Sequence, residues 1–154
     1  MKIVVVSDSH GIRSRLDDVL AENQDADLFL HCGDICLDSY EYPQFVTVTG
    51  NNDYYDYPSE LVLNVPHHRI IMFHSHLFGY FNRDKQMIKK AKEKGCDIIC
   101  YGHTHIADYR NIHDMYILNP GSLQMSRDGK DPSYAIMYID EQTGAIQVEF
   151  RFVA

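Results

Sequence analysis

Five apolar runs in this chain each stop at residues able to ligate a metal. Residues 2–7 run into Asp8-Ser9-His10-Gly11, and residues 27–32 into Gly33-Asp34. Residues 44–49 end in Gly50-Asn51-Asn52-Asp53, residues 69–73 in His74-Ser75-His76, and residues 97–101 in Gly102-His103-Thr104-His105. An unbroken apolar run, rather than an alternating one, is the pattern of a strand covered on both faces. In an open α/β sheet, groups at the carboxyl ends of the strands converge on one crevice. Burial accounts for the apolar bodies of these strands. It does not account for the polar residues that end all five, and their recurrence points to a shared site.

The residue types suit two neighbouring divalent ions. In an extended segment, residues i and i+2 point the same way, roughly 6.5–7 Å apart, so His103 and His105 can offer their imidazoles to two adjacent ions. Gly102 is expected to let the backbone leave its strand in a conformation that other residues resist. Mn²⁺, Fe²⁺, Co²⁺, Ni²⁺ and Zn²⁺ all accept mixed imidazole and oxygen ligands. Two such ions about 3.5–4 Å apart need a shared carboxylate and can hold a bridging hydroxide, a nucleophile available at neutral pH. The same pair stabilises charge as it develops on a phosphoryl oxygen.

The remaining segments set the fold class. Ile12, Leu16, Val19 and Leu20 recur at helical spacing and predict an amphipathic helix over 11–23. A second, basic helix is expected over 83–94, stopped by Gly95. Residues 61–65 and 69–73 read as a hairpin turning at Pro66-His67-His68. Residues 35–43 read as an irregular loop or short helix. Late strands are expected over 109–118, 133–139 and 145–152, with turns at Asn119-Pro120-Gly121-Ser122 and Thr143-Gly144. Strands that alternate with helices and then continue as a meander predict an α/β layered sandwich with a mostly antiparallel C-terminal part. At 154 residues, a single domain over 1–154 is expected, large enough to bury roughly 70% of its unfolded surface.

The 14 basic and 22 acidic residues leave a formal charge of −8, which argues against nonspecific binding to nucleic acid or an anionic membrane. Bound divalent ions would deliver positive charge locally, so an acidic chain can still take a phosphate. No apolar run approaches the ~18 residues of a membrane span. Met1 to Val6, followed closely by Asp8, reads as a first strand and not as a cleavable leader, and the expected location is the cytoplasm. Thiols stay reduced there, so Cys32, Cys36, Cys96 and Cys100, spaced as two C-x3-C pairs, are read as packed or free.

The ordered series Asp8-x-His10, Gly33-Asp34, Gly50-Asn51-x-Asp53, His74-x-His76 and Gly102-His103-x-His105 resembles the calcineurin-like metallophosphoesterases. It is most similar to their small YfcE-like phosphodiesterase branch, which is also the branch similar to the small retromer subunit. Asn119-Pro120-Gly121-Ser122 and Pro132-Ser133-Tyr134-Ala135 also look like segments of that branch. The resemblance implies a four-layer αββα sandwich, with two mixed β-sheets face to face and helices outside. It implies one ion on Asp8, His10 and His105, a second on Asn51, His74 and His103, and Asp34 bridging both. Mn²⁺ is favoured, with Ni²⁺, Fe²⁺, Co²⁺ and Zn²⁺ open.

The implied activity is a metal-dependent phosphodiesterase in which a bridging hydroxide attacks phosphorus in line, with a small phosphoester as substrate. Asp34, Asn52 and His76 are the candidate catalytic residues. Asn52, His76 and Arg127 are the candidate substrate contacts, and His76 is read either as a phosphate contact or as a partner that orients a ligand. Relatives often form dimers or larger assemblies, which leaves a homo-oligomer open.

Two positions depart from the wider superfamily. Asn52 replaces the histidine usual in the third motif, and an amide donates a hydrogen bond but is no general acid at neutral pH. Ser75 replaces the glycine usual between the histidines of the fourth. A phosphomonoesterase or nucleotide pyrophosphatase on the same site is one alternative. A retromer-like interaction scaffold is another, whose expected mark is loss of ligands, yet all seven are present. Asp53 is read as structural support, His31 as a core histidine, and His67, His68 and His113 as solvated. Tyr54, Tyr55 and Tyr57 are read as wall and packing.

Overall fold

Along the first strand, Ile3 and Val5 face one core while Val4 and Val6 face another. The same division runs through the other apolar strands and builds the layers. The computed structural model describes residues 1–153, and Ala154, the last residue of the expected domain, lies outside the described residues. The elements in order are β1 (Lys2–Val6), α1 (Arg13–Glu22), β2 (Leu28–His31), β3 (Phe45–Thr47), β4 (Glu60–Val65) and β5 (His68–Phe73). They continue with α2 (Arg83–Glu93), β6 (Ile98–Tyr101), β7 (Asp108–Ile112), β8 (Met115–Asn119), β9 (Ser133–Ile139) and β10 (Ile146–Phe152).

The strands form two mixed sheets, ordered β10-β9-β1-β2-β3 and β4-β5-β6-β8-β7. In the first, β1, β2 and β3 are parallel, while β9 and β10 pair antiparallel. In the second, β5, β6 and β8 are parallel, with β4 and β7 antiparallel at the edges. Helices α1 and α2 are the crossovers that let β1 and β2, and β5 and β6, run parallel. Ile3, Val5, Leu30 and Met137 from the first sheet meet Ile70, Met72, Ile98 and Leu118 from the second in a shared buried core. On the outer face of the first sheet, Val4, Val6 and Ile136 pack on Leu16 and Val19 of α1. Across the second, Ile71, Ile99 and Ile117 pack on Met87 and Ala91 of α2. The result is the expected αββα sandwich. Both faces of each central strand are covered, which is why these strands read as unbroken apolar runs.

Two readings need correction. The strand expected over 109–118 is the hairpin β7–β8, turning at His113 and Asp114, whose φ angles are 49° and 64°. Positive φ at both central residues is the type I′ geometry that matches strand twist. The usual Asn-Gly or Asp-Gly marker is missing, and Asn111 Oδ1 instead accepts the Asp114 N–H at 2.9 Å. His68 belongs to β5 and is not solvated: its Nδ1 lies 2.6 Å from Asp97 Oδ2 and its Nε2 2.6 Å from Gly144 O.

Candidate active site

The segments that follow β1, β2, β3, β5 and β6 bring the expected side chains together across both sheets. Asp8 Oδ1 lies 3.2 Å from His105 Nε2, 3.6 Å from His74 Nε2 and 3.8 Å from His10 Nε2. Asp34 Oδ2 lies 3.3 Å from His74 Nε2 and 3.8 Å from His10 Nε2. Asn51 Oδ1 sits 3.0 Å from His74 Nε2 and 3.1 Å from His103 Nδ1. Two overlapping groups of potential ligands result, Asp8/His10/His105 and Asp8/Asp34/His74, and Asn51 and His103 extend the second. His103 approaches Asn51 and His105 approaches Asp8, but not from the extended segment that the i, i+2 reading assumed: both have positive φ beyond the end of β6.

The backbone bends sharply to achieve this. Asp8, His10, Asp34, His103 and His105 all have positive φ, from 46° at His10 to 74° at His103. Each non-glycine residue in that region costs about 1 kcal/mol or more and persists only where its surroundings enforce it. The enforcing bonds are present. Ser7 Oγ donates to Asp8 Oδ2 at 2.6 Å, the His103 N–H donates to the same oxygen at 3.0 Å, and Ser122 Oγ donates to Asp8 O at 2.7 Å. Asp53 accepts the N–H groups of Asp34, Cys36 and Gly50 at 2.8, 2.8 and 2.7 Å, the supporting role expected of it. Gly102, in contrast to its expected role, is absent from the positive-φ positions. It is needed for close approach, since a Cβ there would overlap Ser7 Oγ and crowd the Asp8 carboxylate. Gly50 is likewise pressed against Asp34.

The donor set tests whether a metal fits. His74 Nδ1 is 2.8 Å from Cys32 O, and His105 Nδ1 is 2.9 Å from Met125 O. A carbonyl only accepts, so each Nδ1 carries a hydrogen and, in the neutral ring, each Nε2 presents a lone pair. Those lone pairs face the oxygens of Asp8, Asp34 and Asn51, which are also acceptors. Asp8 Oδ1 is buried and has no hydrogen-bond partner among the described residues. Acceptors turned on acceptors in a buried site are unfavourable unless a cation or proton lies between them. The residues therefore fit a divalent metal centre.

Within the protein alone the cluster competes for protons. Burial opposes charge on His74, but the carboxylates of Asp34 and Asp8 outweigh it and raise its pKa. Burial also works against ionised Asp8 and Asp34, yet His105, His74 and the Ser7 hydroxyl hold Asp8, and His74 and Asn52 hold Asp34, below the usual carboxylate range. Burial, then the nearby His74, pushes His103 down to about 4, so its imidazole is neutral at pH 7, the form that ligates a metal.

Residues 1–142 match the calcineurin-like phosphoesterase superfamily domain. The chain belongs to that superfamily. It is 32% identical over 152 residues to the probable metallophosphoesterase YsnB of Bacillus subtilis, covering 96% of this chain and 89% of the relative. A crystal structure from Streptococcus pneumoniae, described as a conserved uncharacterised protein and predicted phosphoesterase, superposes with a TM-score of 0.89 at 31% identity, covering 98% of this chain and 88% of that one. Vps29 from Entamoeba histolytica, solved as a single mutant, shares the fold at a TM-score of 0.78 and 20% identity, each chain covered completely. As a metallophosphoesterase-family chain, this protein belongs among hydrolases that use divalent metals.

The other expected residues fall around the metallophosphoesterase centre. The Asn52 N–H donates to Asp34 Oδ1 at 2.8 Å and its amide Nδ2 to Asp34 Oδ2 at 2.9 Å. The His76 ring lies 5.4 Å from that of His74 and 6.3 Å from that of His103, and its buried Nδ1 has no partner among the described residues. Ser75, at φ 83°, donates to Gly102 O at 3.3 Å and links the fourth and fifth motifs. Arg127 is exposed and reaches His103 O from Nη1 at 3.3 Å. His31 is a core residue that bonds Ser9 Oγ and the Gly33 N–H, and burial takes its pKa down to about 3. The Tyr57 hydroxyl donates to Leu37 O at 2.6 Å, while Tyr54 and Tyr55 are exposed. All four cysteines are free.

Sequence reasoning missed Ser7, Ser122 and Asn119 as supports, the last donating to Gly102 O and Thr104 Oγ1. Ser7 had a signal, a polar residue directly after the apolar run of β1, whereas Asn119 ends β8 and Ser122 lies in the turn beyond it. Cys36, with Sγ 4.0 Å from His10 Nδ1, gave none. No helix among the described residues is long and apolar enough to cross a membrane.

Proposed function

We propose that this chain is a phosphodiesterase whose site holds two divalent ions, Mn²⁺ foremost, one on Asp8, His10 and His105 and one on Asn51, His74 and His103, with Asp34 between them. The observation that carries the reading is the convergence of ligand-type atoms from all five motifs: His10, His74 and His105 on the carboxylates of Asp8 and Asp34, and His74 and His103 on Asn51 Oδ1. Two cations there would supply a nucleophilic water at neutral pH and positive charge facing the phosphoryl oxygens. The chain's own residues hold that arrangement. Carbonyls of Cys32 and Met125 orient His74 and His105, and Asn52 clamps both oxygens of Asp34. Because the Asn52 amide is engaged there and carries no acidic proton, position 52 does not protonate a leaving group, which favours esters that leave easily. His76, whose ring lies 5.4 Å from that of His74 and 6.3 Å from that of His103, is the side chain we assign to the phosphoryl or leaving-group oxygen.

The test is hydrolysis of an aryl phosphodiester and its matching monoester by protein loaded with Mn²⁺, Ni²⁺ or Zn²⁺. The diester is expected to turn over faster. Asp34→Asn is expected to lower that turnover about 10²–10³-fold, the scale of losing one electrostatic group at a reacting centre. A monoester preference would assign the site to phosphomonoester chemistry. No turnover of either ester, in protein shown to bind two ions, would contradict the enzymatic reading.

A further inference from the structure

A cavity of about 500 Å³ opens beside His103, between the start of α2 and the segment that joins β8 to β9. Its volume is that of a site for a nucleotide-sized ligand. Arg83, the first residue of α2, and Arg127 stand on its walls, with the exposed ring of Tyr80 at its edge. Elsewhere, Arg13 is paired with Glu41, Arg110 with Asp84 and Asp108, and Arg151 with Glu149, while Arg15 and Arg69 form no ion pair among the described residues but stand apart from this cavity. Among the described residues, neither Arg83 nor Arg127 has a carboxylate partner, and the buried Nε of Arg83 has no hydrogen-bond partner at all. Asp108, the acidic residue on the wall, is held 2.6 Å from Arg110 Nε.

In a chain of formal charge −8, two guanidinium groups without carboxylate partners line one cavity, Arg127 donating only to the His103 carbonyl, and they place positive charge there. The planar guanidinium fork binds phosphate oxygens in pairs, and two of them suit a dianion better than a single carboxylate. The helix adds to this. Asn82 makes no side-chain cap at the start of α2, where the partial positive charge of the helix is concentrated. A smaller adjoining cavity of about 340 Å³ is lined at that same end by Asn82, Arg83, Lys85 and Asp84, whose carboxylate is taken up by Arg110.

We infer that this cavity is a subsite for a second phosphate of the substrate, one that is not cleaved, while the scissile phosphoryl group sits on the His103 side. The inference rests on the phosphodiesterase reading and narrows it: the substrate class is a nucleotide-sized diester carrying a further terminal phosphate. Arg83 and Arg127 grip that phosphate, and Tyr80 offers a ring to the group that connects it to the reacting centre.

The test compares two substrates of Mn²⁺-loaded protein that share one scissile bond. These are the 4-nitrophenyl ester of thymidine 5′-monophosphate and the same ester with a 3′-phosphate. The 3′-phosphate is expected to lower KM about tenfold or more, the scale of one or two charge-assisted hydrogen bonds. In Arg83→Gln/Arg127→Gln, checked for folding by its thermal midpoint, that advantage is expected to vanish. Equal KM values in the wild type, or an advantage that survives in the double variant, would overturn the subsite while leaving the phosphodiesterase intact. If neither ester turns over, the activity reading fails, and calorimetric binding of thymidine 3′,5′-bisphosphate against thymidine 5′-monophosphate decides the subsite alone. Tenfold tighter binding of the bisphosphate sustains it, and equal affinity overturns it. If the double variant does not fold, the wild-type comparison stands by itself.

Discussion

Asp53 accepts three backbone N–H groups and so sets the loop that carries Asp34. Asp53→Ala strands those donors, and the expected loss is about 3 kcal/mol or more in urea unfolding, with weaker metal binding alongside. Stability unchanged within error would show that the loop does not depend on this carboxylate. His68 supplies the pH dependence. Burial opposes its charge, but the Gly144 carbonyl and Asp97 outweigh this and raise its pKa. Both ring nitrogens face acceptors, so only the doubly protonated ring satisfies both. The folded chain holds this proton more tightly than the unfolded chain, so the stabilisation is complete below the ordinary histidine value of about 6.5. It fades as pH rises through the folded pKa. Unfolding of the wild type and His68→Gln between pH 5 and 9 is expected to show a stability gap that narrows as pH rises, and a constant gap would contradict it. At this scale the ligand types were legible, because each follows an apolar strand. The partners of His68 were not, since they come from Asp97 and Gly144, far along the chain, and only the fold brings them near.

At the scale of elements, the apolar runs predicted the strands well because each is buried on both faces. Leu30 of β2 faces the core between the two sheets, fully buried. Leu30→Ala is expected to cost 2–5 kcal/mol, the range for a buried leucine truncation, measured by chemical denaturation. A loss under about 1 kcal/mol would mean that the sheets close over the gap, contrary to the tight packing described. The β7–β8 hairpin escaped the sequence reading because its type I′ turn is made by His113 and Asp114 without glycine. Helix α1 starts at Arg13, later than the apolar spacing suggests, because Gly11 still belongs to the first motif loop, where its N–H bonds Ile35 O. Motif loops and helix starts share residues here, and periodicity alone does not divide them.

For the whole molecule, the layered order places the ends of parallel strands from two separate sheets at one site. Asp8, Asp34 and Asn51 follow strands of the first sheet, and His74, His103 and His105 follow strands of the second. Neither sheet alone supplies either of the proposed ligand sets, so the site depends on the packing between them. The ordered motifs made this centre legible in the sequence. The cavity beside it was not legible, because Arg83 and Arg127 lie 44 residues apart on elements without a shared motif. Whether the convergence is a two-ion centre is decided by the number of Mn²⁺ ions bound per chain at saturation, read by titration calorimetry. Two are expected for the wild type, with both sites weakened in Asp34→Asn, whose missing carboxylate is the one proposed to lie between them. One ion or none in the folded wild type would contradict a two-ion centre.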